Sequence, residues 1–173
     1  MKRRPPLVAL LAPSALLALI VALAATAPIE QARGAFPGRN GKIAYVRESV
    51  IGKDSAWTMR ADGSHKRRIA RNASEPAFSP SGRKIVFTRW RRNTNCHCRN
   101  GDLYTMRANG SHERRLVHTP ASEIEPSFSP SGKRVVFSKH GTHSGIYTIR
   151  PDGSGLAPLV TGDGAVGSPR WRP

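Results

Sequence analysis

Two cysteines flank a histidine in Cys96-His97-Cys98, and the chain holds no other cysteine. Thiolates and imidazoles are the usual ligands of Zn²⁺, and His140 and His143 could complete such a set. The single residue between the cysteines is a tighter spacing than the roughly two to four residues that zinc sites favour. Cys96, His97 and Cys98 are therefore weak metal candidates. Free or intermolecularly paired thiols are the simpler interpretation in an oxidising compartment, and we expect no metal or other cofactor.

Three glutamates, Glu75, Glu123 and Glu125, stand just before two Pro-x-Phe segments. Carboxylates on neighbouring strands could line a channel and bind a cation, since oxygen is the ligand that hard cations prefer. Capping of strand ends is the commoner role, and we favour it for these residues.

Sequence motifs of catalysis are absent. The chain has no Gly-x-Ser-x-Gly elbow, no His-Glu-x-x-His pair and no glycine-rich phosphate loop. The nearest run, Gly141-Thr142-His143-Ser144-Gly145, fits none of them. We therefore expect that the chain is not an enzyme.

Basic residues dominate the composition, with 28 Lys and Arg against 11 Asp and Glu and a net charge of +17. They recur at equivalent positions of repeated segments, so they should lie side by side in the fold. Such a surface would attract phosphate, acidic polysaccharide or anionic lipid headgroups. The alternative is a solvated face that only maintains solubility. The candidate residues of this basic band are Arg60, Arg67, Arg68, Arg107, Arg114, Arg115 and Arg150.

An internal repeat sets the positions of these residues. The sequence Phe-Ser-Pro-Ser-Gly begins at Phe78 and again at Phe128. In each copy proline fixes φ at about −65° early in a turn, and glycine takes the left-handed conformation that ends it. The short apolar runs Ile85-Val86-Phe87 and Val135-Val136-Phe137 follow. Such runs next to a turn predict strands.

A second repeated element begins at Thr58, Thr105 and Thr148 and contains Asp-Gly-Ser or Asn-Gly-Ser. These pairs are strong signals of a β-hairpin. Here they join the strand around each threonine to a short segment. The segments end at Ile69, Leu116 and Leu159.

The predicted fold class is therefore all-β, with four antiparallel strands in each unit of about 45 residues, as in the blades of a β-propeller. After a degenerate first unit, the second should run from about Ser74 to Val117 and the third from about Glu123 to Val160. Strands that are apolar on both faces, such as those with Val86-Phe87 and Leu103-Tyr104, indicate a blade that lies between two others.

At these residues the chain resembles the TolB-like, WD-repeat-like β-propeller family. The family motif Pro-x-Phe-Ser-Pro-Asp-Gly, with the strand after it, is matched from Glu75 to Phe87 and from Pro126 to Phe137. Ser81 and Ser131 replace the usual aspartate. Leu103–Ser111 matches the element that follows. The resemblance implies an exported scaffold that binds proteins or other ligands through its loops and central channel, and similar propellers also precede serine-peptidase domains.

The predicted blades are too few to close a ring. Residues 168–173 should form the first strand of a fourth blade, which makes the propeller incomplete at about three blades plus one strand. Propellers close with roughly four to eight blades, so two blade faces would be exposed. Two explanations compete. Either the chain is a truncated product of a longer gene, or a homodimer closes a six-bladed ring in which each copy lends its Trp171 strand to the other.

The N-terminal segment predicts export. Lys2, Arg3 and Arg4 precede an apolar run from Leu7 to Ala27, which is the pattern of a secretory signal peptide. The run is long enough to span a bilayer, so an uncleaved signal anchor is the alternative and would be the only membrane contact. We assign residues 1–34 to the signal and linker and residues 35–173 to the partial propeller. A periplasmic or extracellular location follows.

Two classes of function remain. The first is a non-catalytic exported propeller that binds a protein or an anionic cell-envelope component, with no specific nucleic acid recognition. The alternative is the propeller remnant of an exported peptidase or polysaccharide-processing enzyme that lacks its catalytic domain. Genomic sequence beyond Pro173 would distinguish them, since further blades favour the first class and a Gly-x-Ser-x-Gly segment the second.

Overall fold

The computed structural model describes residues 41–49, 53–92, 99–117, 119–162 and 167–171. These residues form strands and no helix, so the described part of the chain is all-β, as predicted. None of them belongs to a helix that could cross a membrane. The strands are β1 (Ile43–Arg47), β2 (Ser55–Met59), β3 (Arg67–Arg71), β4 (Ala73–Phe78), β5 (Lys84–Arg92), β6 (Arg99–Arg107), β7 (Arg114–Arg115), β8 (Ser122–Phe128), β9 (Val135–His140), β10 (Gly145–Ile149) and β11 (Ala157–Thr161).

The strands form three antiparallel sheets that follow one another along the chain. The first sheet has the order β1-β2-β3, the second β4-β5-β6-β7 and the third β8-β9-β10-β11. The second and third sheets begin at Ala73 and Ser122 and end at Arg115 and Thr161. These bounds confirm the two predicted four-stranded units. The opening of the first unit, around residues 35–37, lies outside the described residues.

A serine and a glycine close the turn between the first two strands of the second sheet. Gly82 has a φ of 67°, and its equivalent Gly132 has 68°, which confirms the predicted left-handed conformation. The Gly82 amide donates to the Ser79 carbonyl at 2.8 Å. The Lys84 amide donates to Ser79 Oγ at 3.1 Å. The turn is therefore satisfied by its own residues, and it sets the register in which Phe78 faces Ile85.

Gly82→Val should lower the free energy of unfolding by about 1–3 kcal/mol, because valine is strained at positive φ. No atom lies within 4 Å of a Cβ placed at Gly82, so the loss would come from backbone strain alone. Gly41→Val is the matched control, since that site is equally open and its φ is not left-handed. The control should change stability by less than about 0.5 kcal/mol. Urea unfolding of both variants tests this, and equal losses would contradict the turn assignment.

The second sheet is buried on both of its faces. Ile85 and Phe87 belong to an apolar cluster shared with the first sheet. Val86 and Leu103 belong to a separate cluster shared with the third sheet. All four side chains are completely buried. The prediction that this unit lies between two others is therefore confirmed.

We call the face of a sheet that packs on the next sheet along the chain its leading face, and the opposite one its trailing face. The pairs Ile43↔Met59, Ile85↔Met106 and Val135↔Ile149 occupy the same place in the three sheets. This common register lets residues be matched from sheet to sheet. The leading face of the second sheet consists of Val86, Leu103, Leu116 and Val117. The trailing face of the third sheet consists of Val135, Phe137, Tyr147 and Ile149.

Candidate functional site

The basic band includes three arginines that begin hairpin turns of one geometry, Arg60, Arg107 and Arg150. The carbonyl of each arginine accepts a hydrogen bond from the glycine amide three residues later, at 3.0, 2.8 and 2.8 Å. All three glycines have φ between 79° and 82°. The three arginine side chains are exposed. The backbone at each of these arginines therefore has the same conformation, and each side chain extends from an equivalent position.

Two other arginines of the band cross from one sheet to the next. Arg67 Nη2 donates to the carbonyl of Asn109, in the hairpin turn of the second sheet. Arg114 Nη2 donates to the carbonyl of Pro151, in the hairpin turn of the third sheet, at 3.2 Å. Both side chains are exposed. Arg67 therefore contacts the turn that begins at Arg107, and Arg114 contacts the turn that begins at Arg150.

Arg115 differs from the other members of the band because it pairs with a carboxylate inside the protein. Its Nη2 atom lies 2.8 Å from Asp102 Oδ1, and Arg91 Nε lies 2.6 Å from Asp102 Oδ2. The Asp102 side chain is 2% exposed and that of Arg115 is 23% exposed. Arg115 therefore contributes less charge to the surface than the sequence suggests.

Arg68 lines a shallow recess between the first and second sheets, with a volume of about 400 Å³. Arg71 and Arg89 line the same recess. Glu113 holds Arg89 in place through two contacts of 2.7 Å. The recess is thus lined by three arginines from two sheets. Sequence reasoning missed Arg71 and Arg89 because they occupy non-equivalent positions of two repeats and come together only where the first and second sheets pack.

Comparisons with solved structures decide the architecture. No family model and no curated protein matches the chain. The chain is similar to a protein assigned as TolB from Agrobacterium tumefaciens, with 24% identity and a TM-score of 0.61 over 73% of this chain. It is also similar to TolB from Acinetobacter baumannii, with 20% identity and a TM-score of 0.56 over 73% of this chain. The β-propeller domain of the trilobed protease from Pyrococcus furiosus matches 69% of it, with 11% identity and a TM-score of 0.52.

The chain is a partial β-propeller. Each of its three sheets corresponds to one blade, as the sequence predicts. The chain spans 44%, 32% and 39% of the lengths of those three structures, in the order given.

A row of carboxylates joins the first strands of successive sheets in this propeller. Glu75 Oε2 accepts hydrogen bonds from the backbone N–H of Glu125 and from the Thr88 hydroxyl, both at 2.6 Å. Glu125 in turn accepts the backbone N–H of Ser168, the Ser168 hydroxyl at 2.8 Å and the Ser138 hydroxyl at 3.2 Å. We call this arrangement the carboxylate ladder. Both glutamates therefore accept a backbone amide at the same position of the next unit. The Glu125 amide lies inside β8, where the strand register shifts between Ile124 and Ser127, so Glu75 binds an amide at a strand bulge and not at a strand end.

The carboxylate ladder also shows where residues 167–171 lie. Ser168 has a φ of 51°, close to the 54° of Glu75 and the 57° of Glu125. It therefore occupies the start of the first strand predicted for a fourth blade. Residues 167–171 are not a strand, because no described segment lies alongside them to pair. Residues 172 and 173 lie outside the described part of the chain.

Glu123 has a different environment, although it is only two residues from Glu125. Its side chain is fully buried. The Thr119 hydroxyl donates to Oε1, and Oε2 has no hydrogen-bond partner among the described residues. Burial raises the pKa of Glu123 to about 7, although the Thr119 hydroxyl opposes the shift, and the charge of Asp102 adds to it. This carboxyl therefore titrates near neutral pH and does not face an open channel.

The metal candidates stay a prediction. Cys96, His97 and Cys98 lie outside the described residues. Within the ranges that the structure describes, no three His, Cys, Asp or Glu side chains form a group that could hold a metal ion.

Proposed function

We propose that the chain is an exported, non-catalytic β-propeller scaffold that binds a protein or an anionic cell-envelope component through its basic band. The apolar segment from Leu7 to Ala27 supports export. It would serve as a cleaved signal or as an anchor, and no other contact with a membrane is proposed. The likeness to two TolB structures supports a binding role, by analogy of fold alone.

The observation that carries this proposal is the pair of contacts between sheets. Arg67 reaches the second turn and Arg114 reaches the third. A basic side chain of one sheet therefore contacts the turn of the next sheet, which carries an exposed arginine of its own. Guanidinium groups at equivalent positions of successive sheets can contact several negative groups of one polymer or one protein surface at once, and Arg is well suited to phosphate and carboxylate.

A second candidate function is the propeller part of an exported peptidase. The observation that favours it is the likeness to propeller-containing proteases, including the acylaminoacyl peptidase from Pyrococcus horikoshii, with 12% identity, a TM-score of 0.51 and coverage of 72% of this chain but 23% of that chain. Polysaccharide-processing enzymes belong to the same alternative. A gene that continues beyond Pro173 into a Gly-x-Ser-x-Gly segment would support this reading.

Binding to heparin or polyphosphate should weaken steeply as salt increases. Three simultaneous contacts imply a slope of log K against log salt of about −2, at about −0.7 for each neutralised charge on a single-stranded polyanion. Replacing Arg60, Arg107 and Arg150 with Gln should weaken binding and make the slope shallower. Folding should survive, because the turns depend on backbone contacts. Titration at several salt concentrations measures both quantities.

The matched control replaces Lys53, Arg83 and Lys133 with Gln, which removes the same charge from exposed sites outside the band. If net charge alone drives binding, both triple variants should lose the same affinity. Loss confined to the band variant would support the proposal. Equal elution of both variants and the unmodified chain from an anionic column would contradict it.

A further inference from the structure

The leading face of the third sheet exposes apolar side chains that are buried in the second sheet. Leu159 and Val160 are 57% and 50% exposed. Their equivalents Leu116 and Val117 are 7% and 5% exposed, because the third sheet covers them. Val160 and Ala70 occupy the same place in their sheets, since Val160 pairs with Ile146 beside the same strand bulge at which Ala70 pairs with Ala56 in the first sheet. The third sheet therefore carries a contact surface of the kind that the chain uses internally.

The trailing face of the first sheet is the matching half. Ile43 is 41% exposed, whereas its equivalents Ile85 and Val135 are completely buried against the preceding sheet. A cation also lies over an aromatic ring at the same place in all three sheets. The distances are 4.9 Å for Arg47 over Trp57, 5.0 Å for Arg89 over Tyr104 and 5.0 Å for Lys139 over Tyr147. The first sheet thus has the features of the two trailing faces that are already covered.

We propose that the leading face of the third sheet binds the trailing face of the first sheet in a second copy of this chain. Two copies then close one ring of six sheets, which lies within the range of roughly four to eight blades of closed propellers. The contact is between different faces, and it closes after a two-fold rotation. This inference concerns an interface of the chain with itself and does not depend on the proposed anionic partner.

The carboxylate ladder supports a second copy as the occupant. Glu125 already holds Ser168 as Glu75 holds Glu125. Residues 168–171 therefore lie where the first strand of the next blade begins, beside the exposed leading face. Trp171 is 39% exposed and corresponds to Phe128, which packs between the second and third sheets. A second copy would cover Trp171, Leu159 and Val160 together.

One internal contact has no counterpart at this interface. Arg67 and Arg114 link the first sheet to the second and the second to the third. Ala157 occupies their position in the third sheet. The contact between copies would therefore depend on apolar packing and on the ladder, and it should be weaker than the two internal ones.

The test is the mass of the purified chain by light scattering over a dilution series. We expect twice the mass of one chain, falling to one mass on dilution. Leu159→Lys and Ile43→Glu should each give monomers, since a charge would be buried without a partner. Both residues are exposed in a single copy, so each variant should keep its fold, as circular dichroism would show. Leu156→Lys is the control, because Leu156 is equally apolar and 45% exposed but corresponds to Glu113, outside the leading face.

Mixing the two variants gives the decisive result. A dimer of one Leu159→Lys copy and one Ile43→Glu copy has one unmodified interface and one in which lysine faces glutamate. An equimolar mixture should therefore recover the dimer that each variant lacks alone. The proposal is overturned if the unmodified chain is monomeric at every concentration, if Leu159→Lys and Leu156→Lys behave alike, or if the mixture stays monomeric. Open assemblies larger than two copies would also overturn the closed ring.

Discussion

Replacing Asp102 with alanine should lower the free energy of unfolding by about 3–5 kcal/mol, the usual cost of leaving one member of a buried ion pair without the other. Asp102 is buried and receives hydrogen bonds from Arg91 and Arg115. Its removal leaves the largely buried Arg115 guanidinium without this counter-charge. Urea unfolding followed by tryptophan fluorescence measures the change.

Glu113→Ala is the matched control for this prediction. It removes a carboxylate that pairs with Arg89, but both side chains of that pair are partly exposed. Such pairs contribute about 0–1 kcal/mol, so the control should be mild. Asp102→Asn keeps the size and one acceptor oxygen and should fall between the two. Similar losses for Asp102→Ala and Glu113→Ala would show that burial does not set the cost.

The protein should lose stability as the pH rises from about 4 to about 7, because of Glu123. Burial raises the pKa of Glu123 to about 7 in the folded protein, against about 4.3 in an unfolded chain. Between these values the folded state binds more protons than the unfolded state, so the free energy of unfolding falls as the pH rises. At roughly 1.4 kcal/mol for each unit of pKa, the full span is about 4 kcal/mol.

Glu123→Gln isolates this contribution. The variant should match the unmodified protein below about pH 4, where Glu123 is protonated in both the folded and the unfolded state, and should be the more stable of the two near pH 8. Asp102→Asn should move the transition to lower pH, because the charge of Asp102 helps to raise the pKa of Glu123. Hydrogen bonds from Ser64 and Ser154 lower the pKa values of Asp62 and Asp152, so their contributions change only in more acidic solution. Parallel pH profiles for the unmodified protein and Glu123→Gln would refute the assignment.

The fold could be predicted from sequence because its signals are local. The turn from Ser79 to Gly82 is closed by hydrogen bonds among neighbouring residues, and it directly sets the pairing of β4 with β5. The hairpin turn at Asp62-Gly63 is equally self-contained, with the Asp62 carboxylate accepting the Ser64 amide at 2.9 Å. Residues at each of these positions recur in later repeats, so one correct local assignment yields the whole architecture.

The finer features of the site depend on contacts between repeats, which no single repeat reveals. Glu75 binds an amide that lies 50 residues later, and its partner can be identified only when two sheets are stacked in register. Arg115 looks like a surface charge in the sequence, because its partner Asp102 has no equivalent carboxylate in the other two repeats. Burial of Glu123 was missed for the same reason, since its equivalent in the second sheet is Ala73.

The carboxylate ladder has a direction that matters while the polypeptide is still being made. Domains emerge from the ribosome with their N-terminal parts first. Glu75 is translated well before the amide at residue 125 that satisfies it, and Glu125 before Ser168. The last blade of a growing chain therefore has an uncovered apolar leading face. Its glutamate also lacks the hydrogen bonds that the next repeat will donate. Each repeat covers the apolar face of the one before it, so a pause in translation between repeats would leave an apolar face exposed, and such faces favour aggregation.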